Sequence, residues 1–174
     1  IDLNARTNNG TTAFIGACMH GHKDVVKLLL NYPDKNIELN ARMNCGEEPN
    51  ALMAACFKGH KDVVQLLLEN SNIDLNARNN YGKTAFMYAC ALGRKDVVQL
   101  FLDHSDRIEL NARDSFGRTA FMFACSRGRK DVVKLLLDCS EVVDIKIQGS
   151  YFQPSEEIKT LLNMHSKTVQ NVQK

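Results

Sequence analysis

The chain has 174 residues, of which 44% are apolar and 24% are charged, a composition typical of a soluble globular protein rather than a disordered one. Its formal net charge of +2 indicates no global attraction to nucleic acid or to acidic membranes. A chain of this length can form a domain with a sizeable core. Its apolar runs fall far short of the roughly 20 residues of a membrane helix, so we expect no membrane segment.

Two phrases recur along the chain. The tetrapeptide Leu-Asn-Ala-Arg starts at residues 3, 39, 75 and 110, and Gly-[His/Arg]-Lys-Asp-Val-Val starts at residues 21, 59, 93 and 128. A regular period between about 20 and 50 residues is the signature of a stacked repeat array. Because the chain has no initiator Met and begins in the middle of a phrase at Ile1, we interpret it as a piece of a longer array or protein.

The third copy shows the elements that we predict for each unit. Residues 79–82 are polar and end in Gly, which predicts a turn. Thr84 is placed to cap a short helix over residues 85–90, and Gly93 to end it. A second helix is predicted from about Arg94 to Asp103, followed by a polar link. Neither helix is long enough to be stable alone, so each unit must pack on its neighbours.

These units resemble the ankyrin repeat. The stretch GKTAFMYACALGRKDVVQLFLDHSDRIELNAR is similar to the family pattern Gly-x-Thr-Pro-Leu-His-x-Ala-Ala-x-x-Gly-His. The resemblance covers residues 1 to about 148 in four copies, approximately residues 3–38, 39–74, 75–109 and 110–143. It implies an all-α repeat solenoid of stacked antiparallel helix pairs with projecting β-hairpins.

The chain departs from the family pattern in ways that have structural consequences. Ala replaces the family's Pro, a mild change because Ala is a good helix former. The family's His is replaced by apolar residues that we expect to pack, namely Ile15, Met53, Met87 and Met122. The second copy has two additional residues around Glu47-Glu48-Pro49, so its first helix is predicted to begin irregularly near Asn50.

A degenerate fifth unit is predicted over residues 143–165. Ser155 and the acidic residues after it match the start of a second helix, but no first helix precedes them. A deviating terminal unit is what a solenoid needs to cover its core, so we expect this unit to act as a C-terminal cap. Residues 166–174 are polar and are expected to be frayed or disordered.

Four of the six cysteines recur once in each unit, and we call this set the cysteine ladder: Cys18, Cys56, Cys90 and Cys125. Small, buried thiols explain it best. A zinc site would require closely spaced cysteine pairs, and the sequence has none. So many unpaired thiols indicate a reducing, intracellular compartment, the cytoplasm or the nucleus.

The sequence offers no positive sign of an enzyme. No catalytic triad, phosphate loop or His-Glu-x-x-His motif can be distinguished from the repeat. His22 and His60 occupy a turn where other copies have Arg94 and Arg129, which argues against catalysis there. We therefore predict no catalytic residue, no metal and no cofactor.

The Asn of each Leu-Asn-Ala-Arg phrase has two interpretations. In the ankyrin family it resembles the site that asparaginyl hydroxylases modify. A hydrogen bond from the side chain to the backbone at the base of the hairpin is sufficient to explain it. The four positions are Asn4, Asn40, Asn76 and Asn111.

The family resemblance also implies where a partner docks. Ankyrin arrays usually bind through a concave face made of hairpin tips and first helices. Copies one and two have small or polar residues at these positions, whereas copies three and four have aromatic residues beside Arg. Aromatic residues beside Arg are the composition of a binding hot spot. The candidate partner-binding residues are Tyr81, Tyr88, Leu92, Phe116, Phe123 and Arg127. The alternative is that these rings pack between copies as additional core.

The leading functional hypothesis is a non-enzymatic protein-interaction module that binds a protein segment on its concave face. Its rigid surface would lower the entropy lost on binding. The alternative is a targeting or substrate-recruiting arm of a larger enzyme or adaptor, such as a kinase or a ubiquitin-ligase subunit. Nucleic-acid binding through the Arg and Lys turns is disfavoured by the near-neutral charge. We expect a monomer with a protein partner and no membrane association.

Overall fold

The computed structural model describes residues 2–33, 36–145 and 154–172, with the backbone alone from residue 168 onward. Within these ranges the chain forms nine helices. They are α1 (Ala13–His20), α2 (Lys23–Leu30), α3 (Ala51–Lys58), α4 (Lys61–Glu69), α5 (Ala85–Leu92), α6 (Lys95–Asp103), α7 (Ala120–Ser126), α8 (Lys130–Asp138) and α9 (Glu156–Val172). None of these helices is long and apolar enough to cross a bilayer.

The first eight helices form four consecutive pairs. The first helices of the pairs, α1, α3, α5 and α7, stack on one another in what we call the first row. The second helices, α2, α4, α6 and α8, stack alongside as the second row, and α9 packs against α8. This arrangement confirms the predicted all-α repeat solenoid.

Local sequence explains where the first-row helices begin and end. Thr84 accepts a hydrogen bond from the amide of Met87 at 3.4 Å, and Thr12 and Thr119 cap their helices in the same way. In the second copy α3 begins beside Asn50, as predicted, but its start is regular instead of irregular, because Asn50 replaces Thr and accepts from the Met53 amide at 2.9 Å. Gly93, with a φ of 72°, ends α5 in the left-handed region that favours Gly.

The prediction that β-hairpins project from the stack is wrong for the described residues. No strand is formed there, and the only bridge is an isolated one between Arg42 and Asn50. Each tip is a tight turn, as at Asn79, whose amide donates to the carbonyl of Lys83 at 3.0 Å. A turn closed by so few hydrogen bonds is too short for two β-strands to pair. The tips of copies three and four are joined by one hydrogen bond, from the Ser115 amide to the Tyr81 carbonyl at 2.9 Å.

The core runs along the whole stack. Phe14, Phe86 and Phe121 are fully buried at the same position of successive first-row helices. The residues that replace the family's His are also buried, as predicted, and so is the cysteine ladder. Burial raises the pKa of the Cys18 and Cys125 thiols to about 12 and raises those of Cys56 and Cys90 as well.

The Asn of each repeated phrase connects the start of its unit to the link that leads into the next phrase. The Asn76 side chain donates to the Arg107 carbonyl at 3.0 Å and accepts from the Glu109 amide at 2.8 Å, both just before the next phrase begins at Leu110. Asn40 and Asn111 bond the link that follows their own helix pair in the same way. We call this set, with Asn4, the asparagine ladder. The predicted hydrogen bond to the backbone is therefore confirmed, and its partners lie 31 to 34 residues further along the chain.

The turns after the first-row helices also connect units. The Nε2 atom of His60 lies 3.0 Å from the Met19 carbonyl, and Arg129 donates through Nε to the Ala91 carbonyl at 3.0 Å. Arg94 donates to the carbonyl of Phe57 at 3.2 Å. His and Arg at this position therefore serve as links to the preceding unit.

The helix of the C-terminal cap is longer than predicted. Ser155 accepts from the Ile158 amide at 3.5 Å near its start, and Ile158 is fully buried against the stack. The helix continues to Val172, beyond the boundary predicted at residue 165. Residues 146–153 of the predicted fifth unit lie outside the described residues, and the fraying of residues 166–174 stays a prediction.

Candidate functional site

The two tip rings proposed as partner contacts are exposed side by side. Phe116 is 70% exposed and Tyr81 is 42% exposed. The hydrogen bond between Ser115 and Tyr81 holds the two tips next to each other. Two large rings exposed on adjacent tips form the most prominent apolar feature of copies three and four.

Two cations lie among these rings and the rings of the first-row helices. The Lys83 Nζ atom is 5.7 Å from the ring centroid of Tyr81, 5.6 Å from that of Tyr88 and 5.9 Å from that of Phe123. The Arg118 guanidinium carbon is 4.9 Å from the Phe116 centroid and 4.5 Å from the Phe123 centroid. Such contacts contribute about 0.5–1 kcal/mol each at exposed sites. We call these six residues the aromatic–cation cluster.

Not every predicted contact residue reaches the surface. Phe123 is only 6% exposed, beneath the two cations, so the alternative of packing between copies applies to it. Tyr88 and Leu92 are half-buried, and Arg127 is exposed. Together with Phe123, these three residues line a cavity of ≈ 150 Å³. We call it the Leu92 pocket.

The additional residues of copy two reach across to copy three. Tyr88 donates its hydroxyl hydrogen to Glu47, and the Lys83 Nζ atom lies 2.7 Å from the other carboxylate oxygen. Asn79 donates to the Tyr88 hydroxyl oxygen at 2.9 Å. Because of these contacts, Glu47 of the insertion fixes the orientation of Tyr88, a candidate contact residue in the next unit.

The electrostatics of this contact follow from the same atoms. Burial raises the pKa of Glu47, but the hydrogen bonds from Lys83 and Tyr88 and the charge of Lys83 outweigh it, so the net pKa lies below its usual value. Burial raises the pKa of Tyr88, and the hydrogen bond and charge of Glu47 raise it further. Tyr88 is therefore a neutral hydrogen-bond donor to an ionised carboxylate.

The tip of copy four is built on a buried carboxylate. The Asp114 side chain has no exposed surface, and its Oδ1 atom accepts from the amides of Phe116 at 3.0 Å and Arg118 at 2.8 Å. Its Oδ2 atom accepts from Arg118 Nε at 2.9 Å and Nη2 at 2.6 Å. These bonds fix the backbone beneath Phe116 and the guanidinium beside it, so this tip is rigid before any partner binds.

Sequence reasoning missed one wall of the site. Phe57 is 46% exposed and packs edge-to-face on Tyr88, with ring centroids 6.2 Å apart. A sequence signal was available, because the residue after the ladder cysteine is Phe only in copy two and is otherwise Met19, Ala91 or Ser126.

A second cavity, of ≈ 340 Å³, lies beside Phe57, and we call it the methionine pocket. It exists because Ala54 occupies the position that Tyr88 and Phe123 fill in the next two copies. Its walls include Met19, Met43, Met53, Ala54, Phe57 and Lys58. Glu47, Phe57 and Tyr88 line both this pocket and the Leu92 pocket, so the two adjoin.

Other features of the described residues are less informative about function. Larger hollows, of ≈ 870 Å³ and ≈ 670 Å³, are lined by the links that follow α2 and α6 and contain none of the candidate residues. In the part of the chain that the structure describes, no three His, Cys, Asp or Glu residues are grouped so as to hold a metal ion.

Comparison with known families agrees with this architecture. The family model described as ankyrin repeats (3 copies) matches the chain three times, over residues 1–79, 35–114 and 72–150. The matches overlap and together cover most of the chain. No curated protein matches the sequence.

Proposed function

The chain belongs to the ankyrin-repeat family, and on this premise we propose that it is a non-enzymatic interaction module that binds a protein segment through the face formed by its tips and first-row helices. Ankyrin repeats are generally protein-interaction modules. The contact residues that we propose are Tyr81, Tyr88, Leu92, Phe116 and Arg127, with Phe123 as the floor beneath them.

One observation carries this proposal: Phe116 and Tyr81 remain exposed on a rigid base. An exposed ring of this size is unfavourable in water, and Phe116 leaves 70% of its surface there. The buried Asp114 carboxylate holds the backbone amide of Phe116 in place, which limits the entropy lost when a partner binds. Aromatic rings beside Arg are also the residue types that contribute most to binding at protein interfaces.

The role of Phe123 follows from its position. A buried ring under Lys83 and Arg118 contributes little contact area, but it supports the cations that border the tip rings. The six thiols are free in the structure, which fits the intracellular location that we propose.

The test uses a double variant and a matched control. Tyr81→Ala/Phe116→Ala should lose crosslinked partner in a pull-down from cells of the native host, with its melting temperature nearly unchanged. Leu28→Ala is the control, because Leu28 is 71% exposed on the second row, away from the tips. A partner retained by the double variant, or lost equally with Leu28→Ala, would contradict the proposed face.

A second candidate is the recruiting arm of a larger enzyme or adaptor. One observation favours it: Val25 on α2 is 45% exposed, whereas the equivalent Val63, Val97 and Val132 are buried. Val25 and the neighbouring Leu28 therefore form an exposed apolar patch on the second row, and a catalytic or adaptor domain of the same protein would pack on it. A longer reading frame that encodes a catalytic or adaptor domain in the same protein would establish this candidate, and one without such a domain would remove it.

A further inference from the structure

The two helix rows differ in their acidic residues, although the net charge of the chain is small. The four first-row helices contain no Asp or Glu. Every second-row helix begins with Lys-Asp, and three of them also end at or near an acidic residue. The surface of the first row is therefore neutral or basic, although the whole chain has a charge of only +2.

The basic groups of the first row are available to a ligand. Lys58 lines the methionine pocket, with its Nζ atom 5.7 Å from the Phe57 ring centroid, and Arg127 lines the Leu92 pocket. Neither forms an ion pair with a described residue. The acidic groups nearby are already neutralised, since Glu47 is paired with Lys83 and Asp114 with Arg118. Glu48 is not among the residues that line either pocket.

Beside Lys58, the methionine pocket is largely apolar and large enough to hold a side chain, and the ion pair between Glu47 and Lys83 lies between it and Arg127. The methionine pocket has a volume of ≈ 340 Å³ and walls formed largely by thioether and aromatic groups. Methionine side chains adapt their shape to an inserted group, which suits the recognition of an apolar side chain. Phe57 and Tyr88 stand at the junction with the Leu92 pocket and form one continuous groove with it.

We propose that this groove binds an acidic protein segment that inserts one apolar side chain into the methionine pocket, with carboxylates paired to Lys58 and Arg127. This inference rests on the proposed interaction function and specifies the chemistry of the partner. The complementary charges would speed association and exclude basic segments, and the buried apolar side chain would supply most of the affinity. A nucleic acid fits less well, because Lys58 is the one cation among the residues that line the methionine pocket and the rest of its wall is largely apolar, which suits a phosphate backbone poorly.

The experiment selects ligands without assuming their identity. The chain of 174 residues is panned against a random peptide library, with peptides of about 12 residues, which reach about 40 Å when fully extended. Selected peptides should be enriched in Asp and Glu around a single apolar position. One enriched peptide, labelled with fluorescein, then reports affinity by fluorescence anisotropy.

Two pairs of variants assign the binding to this groove. Ala54→Leu fills the methionine pocket and should weaken binding by about tenfold or more. The fold should tolerate it because Tyr88 and Phe123 occupy the same repeat position, and a melting curve checks this. Gly16→Leu, at the same position of copy one and outside the pocket, is its control and should leave affinity unchanged.

The charge pair is tested separately. Lys58→Glu/Arg127→Glu should weaken binding and reduce its salt dependence, whereas Lys134→Glu on the second row should change neither. Selected peptides without acidic enrichment, or an Ala54→Leu variant that binds within about twofold of wild type, would overturn the inference.

The outcomes also separate this inference from the function on which it rests. Peptides that depend on Tyr81 and Phe116 but not on Ala54 would overturn the groove and leave the interaction module standing. A library that yields no binder would overturn both. A third outcome is that a labelled oligothymidylate binds in a way that depends on Lys58 and Arg127, while the library yields no acidic peptides. This result would assign the groove to nucleic acid and overturn the inference.

Discussion

Asparagine in the repeated phrase gives a quantitative test of how the units are joined. Asn76→Ala removes the hydrogen bond from the side chain to the Arg107 carbonyl, at 3.0 Å, and the bond from the Glu109 amide, at 2.8 Å. Both backbone partners lie in the link that leads from α6 to the phrase at Leu110, so the substitution loosens the junction between copies three and four without removing any apolar contact of the core.

The expected magnitude follows from these two bonds. A hydrogen bond contributes about 0.5–1.5 kcal/mol net, so two of them set a range of about 1–3 kcal/mol. Arg107 and Glu109 are exposed, and water can partly replace the lost partner, which favours the lower half of the range. We therefore expect Asn76→Ala to lower the free energy of unfolding by about 1–2 kcal/mol.

Urea unfolding measures this loss. Repeat arrays need not unfold in one step, so the transition is followed by far-ultraviolet circular dichroism and by tyrosine fluorescence together. Asn72→Ala is the control, because Asn72 is exposed and its side chain makes no hydrogen bond to a described residue. If Asn76→Ala destabilises the protein no more than Asn72→Ala does, the ladder does not join the units energetically.

Three further predictions concern the core, the insertion and the thiols. Phe121→Ala should lower the free energy of unfolding by about 3–5 kcal/mol because its ring is fully buried, whereas Phe116→Ala should lower it by less than about 1 kcal/mol; equal losses in urea unfolding would contradict the assigned burial. Since the folded pKa of Glu47 is lowered, its ionised form stabilises the fold above the unfolded pKa of about 4.3 and this contribution disappears as the pH falls through the folded pKa. The stability difference between wild type and Glu47→Gln should therefore shrink on acidification in urea titrations at successive pH values, and a constant difference would refute the contact. With iodoacetamide at about pH 8, Cys45 should react first and Cys139, whose pKa is raised by burial and nearby Asp residues, more slowly. The cysteine ladder should be labelled only after unfolding, as read by peptide mass spectrometry, and labelling of ladder thiols in the native protein would contradict their burial.

Part of the candidate site could be predicted from sequence because the repeat supplies its own reference. Tyr81 and Phe116 differ from the residues at the other two tips, and the structure finds both rings exposed. The same comparison could not separate Phe123 from Phe116, because a deviation from the repeat marks a change without showing whether it faces solvent or a neighbour. Burial of Phe123 depends on where Lys83 and Arg118 place their side chains, in two different copies.

The methionine pocket and the role of Glu47 show what the one-dimensional pattern omits. Ala54 reads as an ordinary small residue in a helix, and the space above it appears only when Phe57 and Tyr88 are placed around it. Glu47 belongs to an insertion, for which the other copies offer no equivalent, so its partners could not be inferred from the repeat. Its contacts span 36 and 41 residues of sequence, to Lys83 and Tyr88.

The sequence alone determined the number of full repeats, the bounds of the helices detailed for the third copy to within two residues, the caps at Thr and the buried cysteine ladder. These features depend on interactions within a unit or on a periodic pattern, and both can be recognised in the amino-acid sequence. Only the tertiary structure decided that the tips of the described residues are turns without strands, that the asparagine ladder bonds the links 31 to 34 residues further along the chain, and that two pockets meet at Phe57 and Tyr88. The physical reason is that these features depend on side chains or backbone groups far apart in sequence, whose distances are set by how the helices stack.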